Sequence, residues 1–247
     1  MSDSQVYLSC TQLSEHLAEP LAGALPEQLL THFRRTVPHG HLLPMRLPDV
    51  EGRPSDISLW LADPDIMAAR LSEEVINAIF EDPAYWSFAW ASGQALARQL
   101  QDNPHWVAGK TVLDFGCGSA VAGIAAKLAG AKRVIACDLD AGALLAAQAN
   151  AQRNGVELDY LDDFFALNEP VDVLLAADVL YDWENKPLLP LFLQKATRVI
   201  IADSRVRNFA EPGYVHTGTM QAVTFPDLGE FEEFKTVNFY ESVLTSE

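Results

Sequence analysis

The sequence predicts an α/β protein, a mostly parallel sheet with helices on both of its faces, and three observations carry that expectation. Short apolar runs alternate with helical stretches from Thr111 to Asp203. Asp114, Asp138, Asp163 and Asp178 all fall at the carboxyl ends of predicted strands. A glycine-rich turn, Gly116 and Gly118, follows the first of these runs and leads into a small-residue helix. Strands alternating with helices imply parallel pairing, and such sheets bind ligands beyond their strand carboxyl ends, where the strand order reverses.

Residues 1–36 read as helical: Leu13, Leu17 and Leu21 recur at helical spacing, and Leu29, Leu30 and Phe33 continue an apolar face after Pro26. Prolines 38, 44, 48, 54 and 64 break any long helix over the next stretch, with a short strand expected at Ile57–Leu61. The pair His39 and His41 lacks further ligands at metal spacing and reads as a solvated loop. Ser72 followed by Glu73 and Glu74 starts a helix that ends near Asp82-Pro83. Tyr85, Trp86, Phe88 and Trp90 crowd ahead of a helix over Gly93 to Asn103. Such a cluster is either core or the wall of a pocket, where aromatic faces stack on adenine and attract a cation.

The central unit runs from Thr111 to Asp138. Gly116 and Gly118 let a ligand approach the backbone, and the helix that follows offers unpaired N–H groups at its start. Asp138 lies 20 residues beyond Gly118, where a carboxylate accepts hydrogen bonds from ribose hydroxyls. A dinucleotide site would want G-x-G-x-x-G or a final alanine, but the third position falls on Val121. An acid at Asp114, two residues before the first glycine, repels a pyrophosphate and suits a cationic ligand. S-adenosyl-L-methionine, with an α-ammonium, a sulfonium and no phosphate, fits this pattern. Cys117 lies inside the turn and is counted with the cofactor-binding residues.

Further helices are expected at Ala141 to Asn154 and Asn185 to Ala196, and further strands at Val156 to Leu161, Val171 to Ala177 and Arg198 to Ala202. Asp163 is placed to accept from an adenine amino group, with Phe164 or Phe165 packing on the ring. Met220 to Phe225 and Thr236 to Leu244 read as an antiparallel closing pair. A net charge of −17, from 34 acids and 17 bases, argues against nucleic acid and anionic membrane as targets and weakly favours basic partners. Three cysteines at positions 10, 117 and 137 and no basic-then-apolar start read as reduced core thiols in a cytoplasmic protein.

Over about residues 57–205 the chain resembles the class I, seven-strand, S-adenosylmethionine-dependent methyltransferases. Within them it resembles the branch carrying D-x-x-Y after the fourth strand, here Asp178-Val179-Leu180-Tyr181, and most of all the electron-transfer flavoprotein β-subunit lysine methyltransferases and their bacterial relatives. Tyr85 to Trp90, Gly93 to Leu96, Gly109 to Asp138 and Asp178 to Asp182 carry the likeness. The resemblance implies a Rossmann-like sheet with an N-terminal helical extension, dividing the chain into an extension and Pro-rich connector over 1–83 and a methyltransferase domain over 84–247. It implies that Trp90, Gly116, Gly118, Asp138 and Ala177 contact the cofactor, and that Asp178 and Tyr181 face an acceptor lysine on a protein, with the electron-transfer flavoprotein β subunit as candidate. The chain departs from the family pattern where Trp-Pro-Gly-Gly becomes Trp90-Ala91-Ser92-Gly93 and where Leu180 replaces Phe. Two other readings are a small-molecule N-methyltransferase of nicotinamide type, using the N-terminal ~80 residues as a lid, and a non-catalytic adaptor.

Overall fold

The computed structural model describes residues 25–68, 71–206 and 209–243; the expected leucine face at positions 13, 17 and 21 lies outside them. Helix α1 (Glu27–Thr36) buries Leu29, Phe33 and Thr36 on one side and carries Arg34 and Arg35 in its last turn, where they complement the helix dipole. Strands β1 (Leu42–Arg46) and β2 (Ser58–Ala62) form an antiparallel pair in which Pro44 faces Trp60. The sequence reading had only the second of these strands, because Pro44 reads as a breaker. β1 is an edge strand, where a residue without an N–H is tolerated because that side of the ladder is unpaired.

Helix α2 (Glu73–Glu81) is capped by Ser72, whose hydroxyl accepts from the Val75 N–H. After the aromatic segment come α3 (Ala91–Asp102), β3 (Thr111–Phe115), α4 (Val121–Leu128), β4 (Arg133–Cys137) and α5 (Ala141–Arg153). They are followed by β5 (Asp159–Leu161), β6 (Val171–Ala177), α6 (Leu189–Lys195), β7 (Ala196–Asp203), β8 (Tyr214–Gln221) and β9 (Thr236–Ser242). The main sheet has seven strands in the order β5-β4-β3-β6-β7-β9-β8, parallel except where β9 meets β7 and β8. The order reverses between β3 and β6, so the expected ligand crevice opens at Phe115–Gly116 and Ala177–Asp178.

Several boundaries differ from the sequence reading. The strand expected from Val156 starts only at Asp159, the helix expected from Gly93 starts at Ala91, and the strand expected over Arg198 to Ala202 runs Ala196–Asp203. Three further differences have a clear physical cause. Helix α4 begins at Val121 rather than Ser119, because Ala120 sits in the left-handed region (φ 58°) and cannot start the helical run. A 3₁₀ stretch, Trp183–Leu188, precedes α6, since Pro187 interrupts α-helical bonding. The penultimate strand is Tyr214–Gln221, not Met220 to Phe225. It is an edge strand with a bulge between His216 and Gly218, mostly exposed, so no apolar alternation marks it. The apolar segment behind it instead bridges backbone to backbone from Phe225 to Ala89.

The N-terminal hairpin is fixed to the sheet by α5. The Trp60 N–H donates to Asn150 Oδ1 (2.7 Å) and the Ser58 N–H to Asn154 Oδ1 (3.0 Å), so side-chain amides satisfy the free edge of β2. Helix α1 packs on α5 through Phe33, Trp86, Ala143 and Ala146. Gly142 makes that approach possible: a Cβ there would lie 2.5 Å from Trp86 Nε1 and 2.6 Å from His32 Nε2. Gly142→Ala is expected to destabilise the fold by about 1–3 kcal/mol despite alanine's higher helix propensity. Chemical denaturation checks this, and a variant at or above wild-type stability would show that α1 yields freely.

Candidate active site

The site is a cavity of about 460 Å³ at the reversal point, a size usual for a small-molecule pocket. Its floor is the turn after β3. Gly116 has φ 63°, and a Cβ there would meet Val179 Cγ1 at 2.6 Å, so the backbone is bare where β6 runs into its own loop. The Gly118 N–H donates to Asp138 Oδ2 (2.9 Å), while Asp138 Oδ1 accepts from the Asp140 N–H (3.0 Å). Each oxygen of Asp138 therefore keeps one lone-pair direction for a ligand hydroxyl. Burial pushes the Asp138 carboxyl above its usual range, opposed by those N–H donors. Asp140 caps α5 through the Gly142 N–H (2.7 Å) and lines the cavity. Asp163 Oδ1 accepts from the Phe165 N–H (2.8 Å), with the Phe164 ring buried against Phe115 and Phe192. Phe165, largely exposed, lines the same end.

The other end is aromatic. Trp90 donates its indole N–H to the Tyr85 carbonyl (2.9 Å), and its ring lies 5.7 Å from the Tyr85 ring. Tyr85 in turn meets Tyr181 at 6.0 Å, edge to face. Trp86, almost fully buried, also lines the cavity, so the segment is core and pocket wall at once. Arg205 is the one basic residue among the described residues lining the cavity, against Asp138, Asp140, Asp163, Asp178 and Asp182. Its guanidinium stands 5.6 Å from the Trp90 ring centroid and 4.3 Å from that of Phe234, and it is ion-paired with Glu230.

Asp178 follows β6 with φ 51°, in the left-handed region that few residues other than glycine adopt. Its carboxylate explains why it stays there. Oδ1 accepts from Ser92 Oγ (2.6 Å), Ser204 Oγ (2.9 Å) and the Ser204 N–H (3.1 Å), and Oδ2 accepts from the Ser92 N–H (3.1 Å). One side chain thus holds the first turn of α3 and the end of β7 to the end of β6. It lines the cavity with a carboxylate fixed in place by four donors. Ser92, one of the departures from the family pattern, is what touches it. Beneath lies Asp203, fully buried, whose Oδ1 accepts from the N–H groups of Arg205 and Val206 (both 2.7 Å) while Oδ2 has no hydrogen-bond partner among the described residues. Burial first and the charge of Asp178 second push its carboxyl up to about 6.

The cavity thus brings together Trp90, Gly116, Gly118, Asp138, Asp163, Phe164, Ala177, Asp178 and Tyr181. Asp114 departs from its expected place. Its side chain points behind the turn, where Oδ2 accepts from the Gly123 N–H (2.8 Å), and its buried carboxyl is pushed up to about 7. Cys117 also faces the core rather than the cavity, and burial raises its thiol far above the usual range. Strand alternation is the physical reason for Asp114: with Phe115 on the cavity side, its neighbour faces α4. Sequence reasoning missed Arg205, which stands two residues past a strand end and was open to the same logic as the aspartates. The Ser92–Asp178–Ser204 contacts had no local signal.

The residues suit a cationic, phosphate-free nucleoside: bare glycine backbone, a ribose-facing acid, an excess of carboxylates and an aromatic wall. Sheet order, glycine turn and cavity define a class I S-adenosylmethionine-dependent methyltransferase. A sequence profile of the family described as Ribosomal protein L11 methyltransferase (PrmA) matches residues 95–183. The chain is 38% identical over 137 residues to the electron transfer flavoprotein beta subunit lysine methyltransferase of Mus musculus, covering 50% of this chain and 51% of the mouse protein. It is 30% identical over 179 residues to the Caenorhabditis elegans homolog, covering 64% of this chain and 68% of the worm protein. It is 51% identical over 74 residues to the ribosomal protein L11 methyltransferase of Vibrio vulnificus strain YJ016, covering 30% of this chain and 24% of that protein. The chain belongs to the electron transfer flavoprotein beta subunit lysine methyltransferase family. It spans about half the length of the mammalian relatives it matches.

Proposed function

We propose that this chain transfers a methyl group from S-adenosylmethionine to lysine side chains of a protein, with the electron transfer flavoprotein β subunit as acceptor. The observation that carries the reading is continuity: the glycine turn with Asp138 and the collar of Tyr85, Trp90 and Tyr181 line one cavity. Donor and acceptor therefore meet without crossing solvent. When bound, the cofactor supplies a methyl group already activated on a sulfonium, so the protein's task is alignment and exclusion of water.

Asp138 would accept from the ribose hydroxyls, and Asp163 with Phe164 and Phe165 would hold the adenine end. The aromatic collar receives the methylene stem of the lysine and attracts its charged tip. A lysine ammonium has no lone pair, so it must lose a proton before it can attack. Asp178 orients the ammonium by charge: three donors take up Oδ1, while Oδ2, which accepts only from the Ser92 N–H, keeps a lone-pair direction for it. Burial raises the Tyr181 hydroxyl above its usual range, so it stays neutral and accepts a hydrogen bond. The proton leaves to water at the half-exposed Tyr85–Tyr181 opening.

Incubation with methyl-labelled S-adenosylmethionine and purified electron transfer flavoprotein β subunit tests the reading. Label on lysines of that subunit is the expected result. Label confined to small molecules in a lysate, or no transfer at all, would sink it.

A further inference from the structure

Helix α2 turns much of its apolar side away from the protein. Its sequence EEVINAIFE places Val75, Ile76, Ile79 and Phe80 at helical spacing, a pattern that normally faces a core. None of its residues is buried. Ile79 packs against the layer under α1, whereas Phe80 is 81% exposed and Ile76 39%. Glu73, Glu74, Glu81 and Asp82 flank these two side chains, all exposed and none ion-paired among the described residues. The helix also leads into the cavity. Tyr85 follows Phe80 by five residues, so their Cα atoms are at most about 17 Å apart, and the half-exposed Tyr85 ring meets Tyr181 at the opening.

We propose that helix α2 is the docking surface for the acceptor protein, with Ile76 and Phe80 seated on an apolar patch of it and the four carboxylates meeting basic residues around the target lysine. This rests on the lysine-methyltransferase reading and adds to it where the acceptor is held. Charge complementarity selects that occupant. The acceptor must bring a cation to a cavity lined by five aspartates, on a chain of net charge −17. A second copy of this chain would bring the same carboxylates and the same −17. Continuity with the cavity opening gives the surface a second role, as the ramp from which the lysine enters between Tyr85 and Tyr181.

The test uses the full chain, labelled S-adenosylmethionine and purified electron transfer flavoprotein β subunit. Phe80→Ser changes a side chain that is almost wholly solvated, so the core is left intact. It is expected to raise KM for the subunit about tenfold or more, while kcat and the calorimetric Kd for S-adenosylmethionine stay unchanged. Charge reversal by Glu73→Lys with Glu74→Lys is expected to raise KM at low salt, with the effect fading as salt screens it. A KM for Phe80→Ser within about twofold of wild type overturns the docking surface and leaves the methyltransferase reading standing. Sedimentation showing a wild-type dimer that Phe80→Ser dissociates overturns it too, assigning the face to a second copy. Absence of any turnover of the subunit by the wild-type chain overturns both, since the proposed occupant is then lost.

Discussion

Asp178→Ala is expected to abolish methyl transfer and to lower the melting temperature by roughly 5–10 °C, from the loss of about 2–4 kcal/mol. The stability loss follows from what the carboxylate holds. Removing it leaves the N–H groups of Ser92 and Ser204 and both hydroxyls without the oxygens they share, at the start of α3 and the end of β7. Asp178→Asn discriminates further. The two backbone N–H groups reach different oxygens, Ser92 to Oδ2 and Ser204 to Oδ1, and an amide presents only one acceptor. At least one N–H would then face an NH2 group, so asparagine is expected to behave like alanine rather than like aspartate. Differential scanning calorimetry and single-turnover transfer check both variants. An Asp178→Asn protein with wild-type melting and wild-type turnover would remove both the clamp and the charge from the mechanism.

Stability of the native chain is expected to fall as pH rises from about 4 towards 8, and Asp114 is the main reason. Burial, helped by the charge of Asp138, raises its carboxyl from 3.8 to about 7 against the pull of the Gly123 N–H. The folded state therefore binds a proton over a window in which the unfolded chain has already released it. Stability is lost through that window at up to about 1.4 kcal/mol per pH unit for one such group. Asp203, raised from 3.8 to about 6, acts in the same direction over a lower window. Asp114→Asn keeps an oxygen for the Gly123 N–H and removes the titration, so the variant should gain on the wild type as pH rises from 5 to 8. Melting curves across that range read the difference directly. Parallel wild-type and variant curves would show that Asp114 is already ionised in the folded protein.

The parts of the fold legible in the sequence are those whose signal is local. Apolar runs closed by Asp138 and Asp178, and the glycines at 116 and 118, announce strands and a turn because burial on both faces of a parallel strand leaves no room for polar residues. The strand at Tyr214–Gln221 was illegible for the opposite reason: at an exposed edge nothing constrains its side chains. In the cavity, residue identity pointed to the right strand ends but could not say which way a side chain turns. Asp114 and Phe115 are neighbours, and the pleat alone sends one behind the turn and the other to the ligand side. The partners of Asp178 lie 86 and 26 residues away and exist only once α3, β6 and β7 have assembled.

The hairpin near the amino end has a practical corollary for anyone shortening this polypeptide. Asn150, Arg153 and Asn154 each spend a polar group on β2, with Arg153 also lying over the Trp60 ring at 4.9 Å. An excised fragment beginning at the aromatic segment would leave those three side chains facing water on a helix whose first turn, through Asp140, borders the cofactor crevice. The catalytic sheet and its leading segment are thus better cloned, crystallised and engineered as one piece.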